Sequence, residues 1–428
     1  MHPFRVFIYA GCILLLYLLG TFFLKQTGSS VPKNQPAVLQ HNQKLQIQQP
    51  PRNKNLIEYP SGNQNILNPL FSQLSQLQEN PTMLRILYFG DSQIENDRIT
   101  GTLRKKLQEK FGGEGAGLIA PENQYNSSNR FILELTGNWK TATALDSILP
   151  NRLKSSLLRE ARLSGGAGQI RINRFGNNQA QPDFSRIKLL YQCNRPCQYK
   201  LSAGDKLLYE GTFPVSDKIR SMLFNIGTIP GNLSFSFTPE GQLWATGLSL
   251  ESESGITVDP VPLRGVAFPP FEKTDPIALR QSLNLMKPAL IILHFGINVV
   301  TNPHPSYNFY RDGLIRRLRF LKDICPHVPV LLIGVSDMAH LANGQLISYE
   351  NIPAIRQAQK EAASQCDAAF FDLEEFMGGP GSAIQWANLQ PPLMQPDYAH
   401  FTARGAEKVA TALASQLIEA YNEYREKP

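Results

Sequence analysis

Three short segments, far apart in the chain, carry side chains that could act on an ester carbonyl. Gly90-Asp91-Ser92-Gln93 sets a hydroxyl after an apolar run, and Phe295-Gly296-Ile297-Asn298 sets a carboxamide after another. Asp397-Tyr398-Ala399-His400 puts a carboxylate three residues before an imidazole. A serine hydroxyl is a weak nucleophile until a base takes its proton. An imidazole does this when a carboxylate fixes its Nδ1–H, leaving Nε2 to face the hydroxyl. An asparagine at a sheet edge can donate its amide to a developing oxyanion. Each segment also has a plain structural explanation. A Gly-Asp-Ser turn caps a helix, a turn asparagine bonds its own backbone, and Asp-x-x-His can simply open a helix. The other histidines fit chemistry less well. His2 and His41 are N-terminal, His304 and His327 sit in Pro-containing loops, His294 lies within a strand, and His340 is a pocket-lining candidate.

The surrounding pattern says how these groups would be held. Leu84 to Phe89 is a nearly continuous apolar run ending at Gly90, as expected of a buried parallel strand. Ile99, Leu103, Leu107 and Phe111 recur every fourth residue, marking a helix that stops at Gly112-Gly113. The rhythm returns late, with strands at Ala289–Phe295, Val328–Val335 and Ala368–Phe371 and helices near Tyr310–Lys322, Ile352–Ser364 and Ala403–Tyr424. Alternating strands and helices imply a parallel sheet covered on both faces. Between about Arg130 and Glu251 period-2 alternation dominates, as in Leu233, Phe235 and Phe237, which predicts an inserted β-sandwich-like module.

Composition bounds the class. The chain has 428 residues, 42% hydrophobic and 18% charged, which suits two or three folded units and excludes a coiled coil or a disordered chain. The net charge of +7 comes from 42 basic and 35 acidic residues with no basic run, which argues against nucleic acid. Val6 to Leu24 is apolar and flanked by Arg5 and Lys25, long enough to span a bilayer as an uncleaved anchor. A Gln-, Asn- and Pro-rich stretch from Gln26 to about Asn65 reads as a flexible tether. Cys193, Cys197, Cys325 and Cys366 fit an oxidising compartment, with their pairing open and buried free thiols equally compatible.

Together, Gly-Asp-Ser, Gly-x-Asn and Asp-x-x-His resemble the SGNH (GDSL-like) hydrolase superfamily. The segments Phe111 to Gly117, Met377-Gly378-Gly379 and Gln395 to His400 are similar to its periplasmic peptidoglycan or polysaccharide O-acetylesterase branch. No Gly-x-Ser-x-Gly elbow is present, which argues against the α/β-hydrolase fold. The resemblance implies a flavodoxin-like α/β/α sandwich with an inserted, jelly-roll-like β-sandwich module and no metal or cofactor. The expected division is an anchor or signal at 1–25, a tether at 26–65, a hydrolase domain at 66–129 and 257–428, and the inserted module at 130–256. Ser92 would be the nucleophile, His400 the general base and acid, and Asp397 its orienter. The oxyanion hole would comprise the Ser92 N–H, the Asn298 side chain and a second backbone N–H, from Gly265 or from the register of Phe268. Asp91, Gln93, Gly296 and His340 are further candidates to line the substrate pocket. Gln93 departs from the histidine that often follows the serine in this branch. Tyr307, Tyr310 and Trp386 are stacking candidates, although aromatics near strand ends usually pack in the core.

The expected activity is removal of O-acetyl groups from an extracytoplasmic glycan through an acetyl-enzyme. The alternatives are an O-acetyltransferase with the same triad, fed by a membrane acyl-transfer partner, and a non-catalytic glycan-binding protein. The expected location is the bacterial inner membrane, with the catalytic domain in the periplasm, or secretion if the N-terminus is cleaved.

Overall fold

The computed structural model describes residues 55–121, 131–149, 151–174, 184–227 and 232–427. All of them fall in one compact unit, Gln48–Pro428. The expected anchor and the tether up to residue 54 lie outside the described residues. Among the described residues no helix is long and apolar enough to cross a membrane.

Six strands build the central sheet in the order Ile57–Glu58, Ala369–Phe371, Val330–Ile333, Pro288–His294, Met83–Gly90, Gly255–Pro262. Every pairing is parallel except that of Ile57–Glu58, which runs antiparallel to Phe370 and Phe371. In chain order the five parallel strands stand 2-1-3-4-5, the flavodoxin-like doubly wound arrangement. The order reverses between Met83–Gly90 and Pro288–His294, and Ser92 and Asn298 follow these two strands.

Burial on both faces explains why the strands read as continuous apolar runs. Leu84, Ile86 and Tyr88 face the layer formed by the helices Asn68–Ser75, Thr100–Phe111 and Ala403–Glu426. Leu87 and Phe89 face the helices Pro276–Met286, Asn308–Ile324 and Ile352–Gln365. The helix Pro276–Met286 escaped the sequence reading, yet it carries a start signal. Asp275 accepts hydrogen bonds from the Ile277 and Ala278 amides (2.8 and 3.0 Å), and Pro276 takes the first turn.

Three expectations need correction. The tether was placed as far as Asn65, but Leu56 and Ile57 are buried and the strand Ile57–Glu58 is paired, so the fold begins by residue 55. The inserted module was expected as a sandwich of separate sheets. It is instead one nine-stranded antiparallel sheet drawn around a single core. The reason is the long strand Arg159–Arg174, which pairs with Gln242–Ala245 over its first part and with Leu233–Phe237 over its last. The module also begins earlier than 130, since Gly117–Ile119 pairs with Leu248–Leu250. Cys193, Cys197, Cys325 and Cys366 are free and buried, one of the two states the sequence leaves open.

A buried ionic cluster joins the module to the central sheet. Arg85, on the strand Met83–Gly90, donates to Asp259 at 2.7 Å and to Ser249 at 2.6 Å, and it also pairs with Glu251. Asp259 lies on the neighbouring strand, whereas Ser249 and Glu251 belong to the module. Asp259 also accepts from the Leu118 amide at 2.8 Å. A buried charge stripped of its partners is strongly destabilising, so this junction resists sliding or separation.

Candidate active site

The strand Met83–Gly90 ends by handing its pairing on, since the Asp91 amide donates to the His294 carbonyl at 3.1 Å. Asp91 then accepts from the Gln93 amide at 3.0 Å, which turns the chain into the 3-10 segment Ser92–Asp97. Ser92 is the first residue of that segment, so its N–H precedes the first intrahelical bond. Arg98 fastens the turn from below. Its guanidinium donates to the Ser92 carbonyl, to the Glu95 carbonyl at 3.0 Å and to the Phe401 carbonyl at 3.5 Å. Arg104 grips Asp97 through two bonds of 2.8 and 2.9 Å and reaches the Val258 carbonyl at 2.9 Å.

The third segment is delivered by the last helix. Thr402 caps Ala403–Glu426 by accepting from Gly405 at 3.2 Å, and the buried Phe401 anchors the residue before it. His400 thereby meets the serine turn. Its Nε2 lies 2.8 Å from Ser92 Oγ, and its Nδ1 lies 2.7 Å from Asp397 Oδ2. Asp397 Oδ1 accepts from the amides of His400 and Ala399, both at 3.0 Å. Partial burial acts to raise the Asp397 carboxyl. The two amides and the His400 ring outweigh that effect and hold it below the usual carboxylate range. An ionised Asp397 facing Nδ1–H leaves Nε2 as the acceptor for a hydroxyl proton.

Asn298 sits in the four-residue helix Ile297–Val300 after the strand Pro288–His294. Its Nδ2 donates to the Val266 carbonyl at 3.1 Å, which leaves a second N–H on the same nitrogen. The bond also ties Asn298 to the loop holding Gly265. Gly265 has φ +77° and open space where a Cβ would stand, a backbone state that glycine adopts cheaply. Phe268 stacks on Tyr310 and lies beneath the Arg317 guanidinium. Of the two candidate hole donors, Gly265 is therefore the one in the pocket wall.

Ser92, His400, Asn298 and Gly265 line one cavity of ≈ 650 Å³, together with Glu95, Asn96, Arg98, Arg264, Ile297, Thr301, Met338, Gln395 and Ala399. Two further cavities, of ≈ 550 and ≈ 630 Å³, contain none of the three triad candidates.

The four pocket-lining candidates lie elsewhere. Asp91 and Gln93 are buried behind the serine turn. Gly296, at φ +136°, packs against Val335 and Gln359, where a Cβ would come within 3.1 Å of each. His340 lies on a hairpin against Tyr349, with ring centroids 4.0 Å apart. Tyr307, Tyr310 and Trp386 are core residues. His294 is held neutral, since burial drives its pKa down to about 3, and its Nδ1 meets Tyr88 Oη at 3.1 Å.

Gln93 instead brackets the imidazole. Its Nε2 donates to the Ala399 carbonyl at 2.7 Å, and its Oε1 accepts from the Phe401 amide at 3.3 Å, on either side of His400 in the chain. Gln93→Ala should lower kcat by roughly 10- to 100-fold with little change in KM, because a displaced base loses the near-attack geometry. Gln93→Glu should fail too, since it sets a carboxylate oxygen against the Ala399 carbonyl. Steady-state kinetics of both variants check this, and a fully active Gln93→Glu would reduce Gln93 to packing.

Asp91 makes a different prediction. Its Oδ2 is buried without a partner, and burial pushes the carboxyl up to about 7 against the opposing Gln93 amide. A carboxyl raised above its unfolded value destabilises the fold as it ionises. The loss starts as pH rises through roughly 4, the unfolded value, and is complete above about 7. Asp91→Asn keeps the acceptor and cannot ionise. The wild type should therefore lose more stability than the variant between those limits, as thermal unfolding against pH will show. Superimposable curves would exclude Asp91 as the titrating group.

Residues 264–408 match the model of the GDSL-like lipase/acylhydrolase family, a span containing Asn298, Asp397 and His400. That part of the chain is similar to the GDSL-like hydrolases. Ser92 lies upstream of the matched span, with the β module between the first two parallel strands of the sheet, Met83–Gly90 and Gly255–Pro262. Among solved structures, a peptidoglycan O-acetylesterase shares this chain's fold, with a TM-score of 0.67 and 20% identity over 86% of this chain and 99% of that one. A family two carbohydrate esterase from Cellvibrio japonicus aligns at TM-score 0.28 and 12% identity, over 68% of this chain and 99% of that one. A likeness that low carries no argument. No curated protein matches this chain.

Proposed function

We propose that the chain is a serine esterase that removes O-acetyl groups from an extracytoplasmic glycan, peptidoglycan or exopolysaccharide, through an acetyl-enzyme. The observation that carries the reading is the unbroken relay Asp397–His400–Ser92, with spacings of 2.7 and 2.8 Å, at the point where the strand order reverses. Ligands of open α/β sheets bind at that point. Ser92 Oγ attacks the acetyl carbonyl as its proton passes to His400 Nε2. The oxyanion faces the Asn298 amide and the N–H groups of Ser92 and Gly265. Collapse breaks the bond to the sugar oxygen, which takes the proton from His400. Water then attacks the acetyl-serine, gives a proton to His400, and acetate leaves as Ser92 recovers its hydroxyl.

The acetylated glycan is proposed because the fold is similar to that of a peptidoglycan O-acetylesterase and because Phe111 to Gly117 and Gln395 to His400 resemble segments of that branch. The periplasmic location and the membrane anchor rest on the apolar run Val6 to Leu24. That run also favours a second reading, an O-acetyltransferase supplied by a membrane acyl-transfer partner, in which a sugar hydroxyl replaces water in the second step.

Full-length protein incubated with acetylated peptidoglycan and acetylated exopolysaccharide tests both readings. Acetate released in step with lost glycan acetyl groups supports the esterase. Acetyl groups recovered on an acceptor glycan identify the transferase, and no loss from either glycan rejects both.

A further inference from the structure

We infer that the ≈ 550 Å³ cavity between the helix Asn308–Ile324 and the start of the helix Pro276–Met286 is a distal subsite for a carboxylate-bearing segment of the glycan, away from the acetyl group under attack. This deepens the esterase reading and rests on it. The cavity has an apolar floor and a cationic rim. Phe271 and Phe320 make the floor, with ring centroids 5.6 Å apart, and Phe271 is fixed edge-on against Phe89 at 5.3 Å. Arg152, Arg316 and Arg317 stand around it, and Glu272 is the one acid among the lining residues.

The three guanidiniums are not equivalent. Arg317 is engaged locally, since it donates to Glu272 at 3.2 Å and to the carbonyls of Pro269 and Gly313, both at 3.3 Å. The guanidiniums of Arg152 and Arg316 have no hydrogen-bond or ion-pair partner among the described residues, and both side chains are exposed. Arg316 stands four residues before Phe320, on the same helix face. Arg152 arrives from another part of the chain and is held by its neighbour, the buried Leu153. The Leu153 amide donates to the Lys273 carbonyl at 3.0 Å, and its carbonyl accepts from the Asp275 amide at 2.8 Å.

Positive charge is thus brought to one concavity and left uncompensated there. Burial and the Arg316 charge both draw the Arg317 pKa down, against the pull of Glu272. The acids of the adjoining ≈ 630 Å³ cavity, which also contains Arg152, are turned to backbone amides instead. Asp146 accepts from Thr143 at 2.9 Å, Glu160 from Lys154 at 2.7 Å, and Asp275 from Ile277 and Ala278 at 2.8 and 3.0 Å. A ligand that suits such a groove lays an apolar face on the phenyl rings and gives anions to the rim. A pyranose ring offers that face, and a carboxylate accepts two N–H bonds from one guanidinium.

Position favours a glycan over a lipid phosphate. Gly265 lines the cavity at Ser92, and Phe271, six residues on, lies in the floor of this one. Six residues reach at most about 22 Å. A chain of a few sugars spans that distance, so carboxylates along it can meet Arg152 and Arg316 while an acetyl group lies at Ser92.

The test compares full-length wild type with the double variant Arg152→Gln, Arg316→Gln. On an acetylated acidic glycan the variant should show KM raised about 10-fold with kcat unchanged, the combined effect of two exposed charge pairs. Turnover of a neutral aryl acetate should be the same in both proteins. Calorimetry reads binding apart from catalysis. Tetragalacturonate or a muropeptide tetramer should bind the wild type, more weakly as salt is added and about 10-fold more weakly in the variant. The two probes distinguish a uronate from a stem-peptide carboxylate. Chitotetraose, which is neutral, should bind both proteins alike. The charge-keeping variant Arg152→Lys, Arg316→Lys should retain most of the affinity, and it serves as the comparison should the Gln variant fail to fold. Equal affinity of the wild type and the Gln variant for the acids, no binding of either acid, or wild-type binding to phosphatidylglycerol vesicles in their place overturns the inference. Failure of the esterase reading looks different, since no glycan would then release acetate whichever acid bound.

Discussion

Ser92→Ala is expected to abolish acetate release from any acetyl ester, a loss on the order of a million-fold, as for the nucleophile of serine hydrolases. The substitution deletes one oxygen, which meets the His400 ring at 2.8 Å, so the fold should survive. Ser92 is 7% exposed and takes no part in the main hydrophobic clusters, which leaves nothing to collapse around the missing hydroxyl. Binding should survive as well, because the cavity wall is otherwise unchanged. The measurement is turnover of a neutral aryl acetate, with acetyl-enzyme trapping by mass spectrometry. Wild-type turnover in Ser92→Ala would remove Ser92 from the mechanism. A stable acetyl adduct on Ser92 in the wild type would place it there.

Asn298→Ala is expected to lower kcat by about 100- to 1000-fold, the usual effect of losing one oxyanion donor. KM should move little, because the lost bond strengthens as charge develops on the carbonyl oxygen. The same side chain holds the Val266 carbonyl at 3.1 Å, so a structural cost of about 1 kcal/mol accompanies the change. The two effects separate experimentally. Thermal unfolding reports the lost tie to the loop, and the kcat-against-KM split reports the oxyanion. A variant with unchanged kcat would limit Asn298 to holding the loop that carries Gly265.

Much of the fold could be read from local pattern. Leu84 to Phe89, Ala289 to Phe295 and the four-residue rhythm of Ile99 to Phe111 all became the elements expected of them. That works because burial on both sheet faces and on one helix face imposes period and length directly on the residues. Leu56 and Ile57 were lost in a polar stretch because a two-residue edge strand carries no period, and only its partner Phe371 reveals it. The module resisted for a related reason. Alternation identifies strands, but whether they form one sheet or two depends on Arg159–Arg174 changing neighbours midway.

The site divides along the same line. Ser92, Asn298, Asp397 and His400 were legible because their chemistry depends on residue type and on standing just past a strand or just before a helix. Gln93 was placed in the pocket by adjacency to Ser92, yet its amide spans Ala399 and Phe401, more than three hundred positions away. Arg264 and Glu95 carried no signal, since a single charged residue beside a motif is ordinary in any sequence. Residue types and their periods thus determined which groups could react and which edges would bear them. Only the folded chain decided which groups meet, because hydrogen bonds and charges act over a few ångströms of space whatever the separation along the backbone.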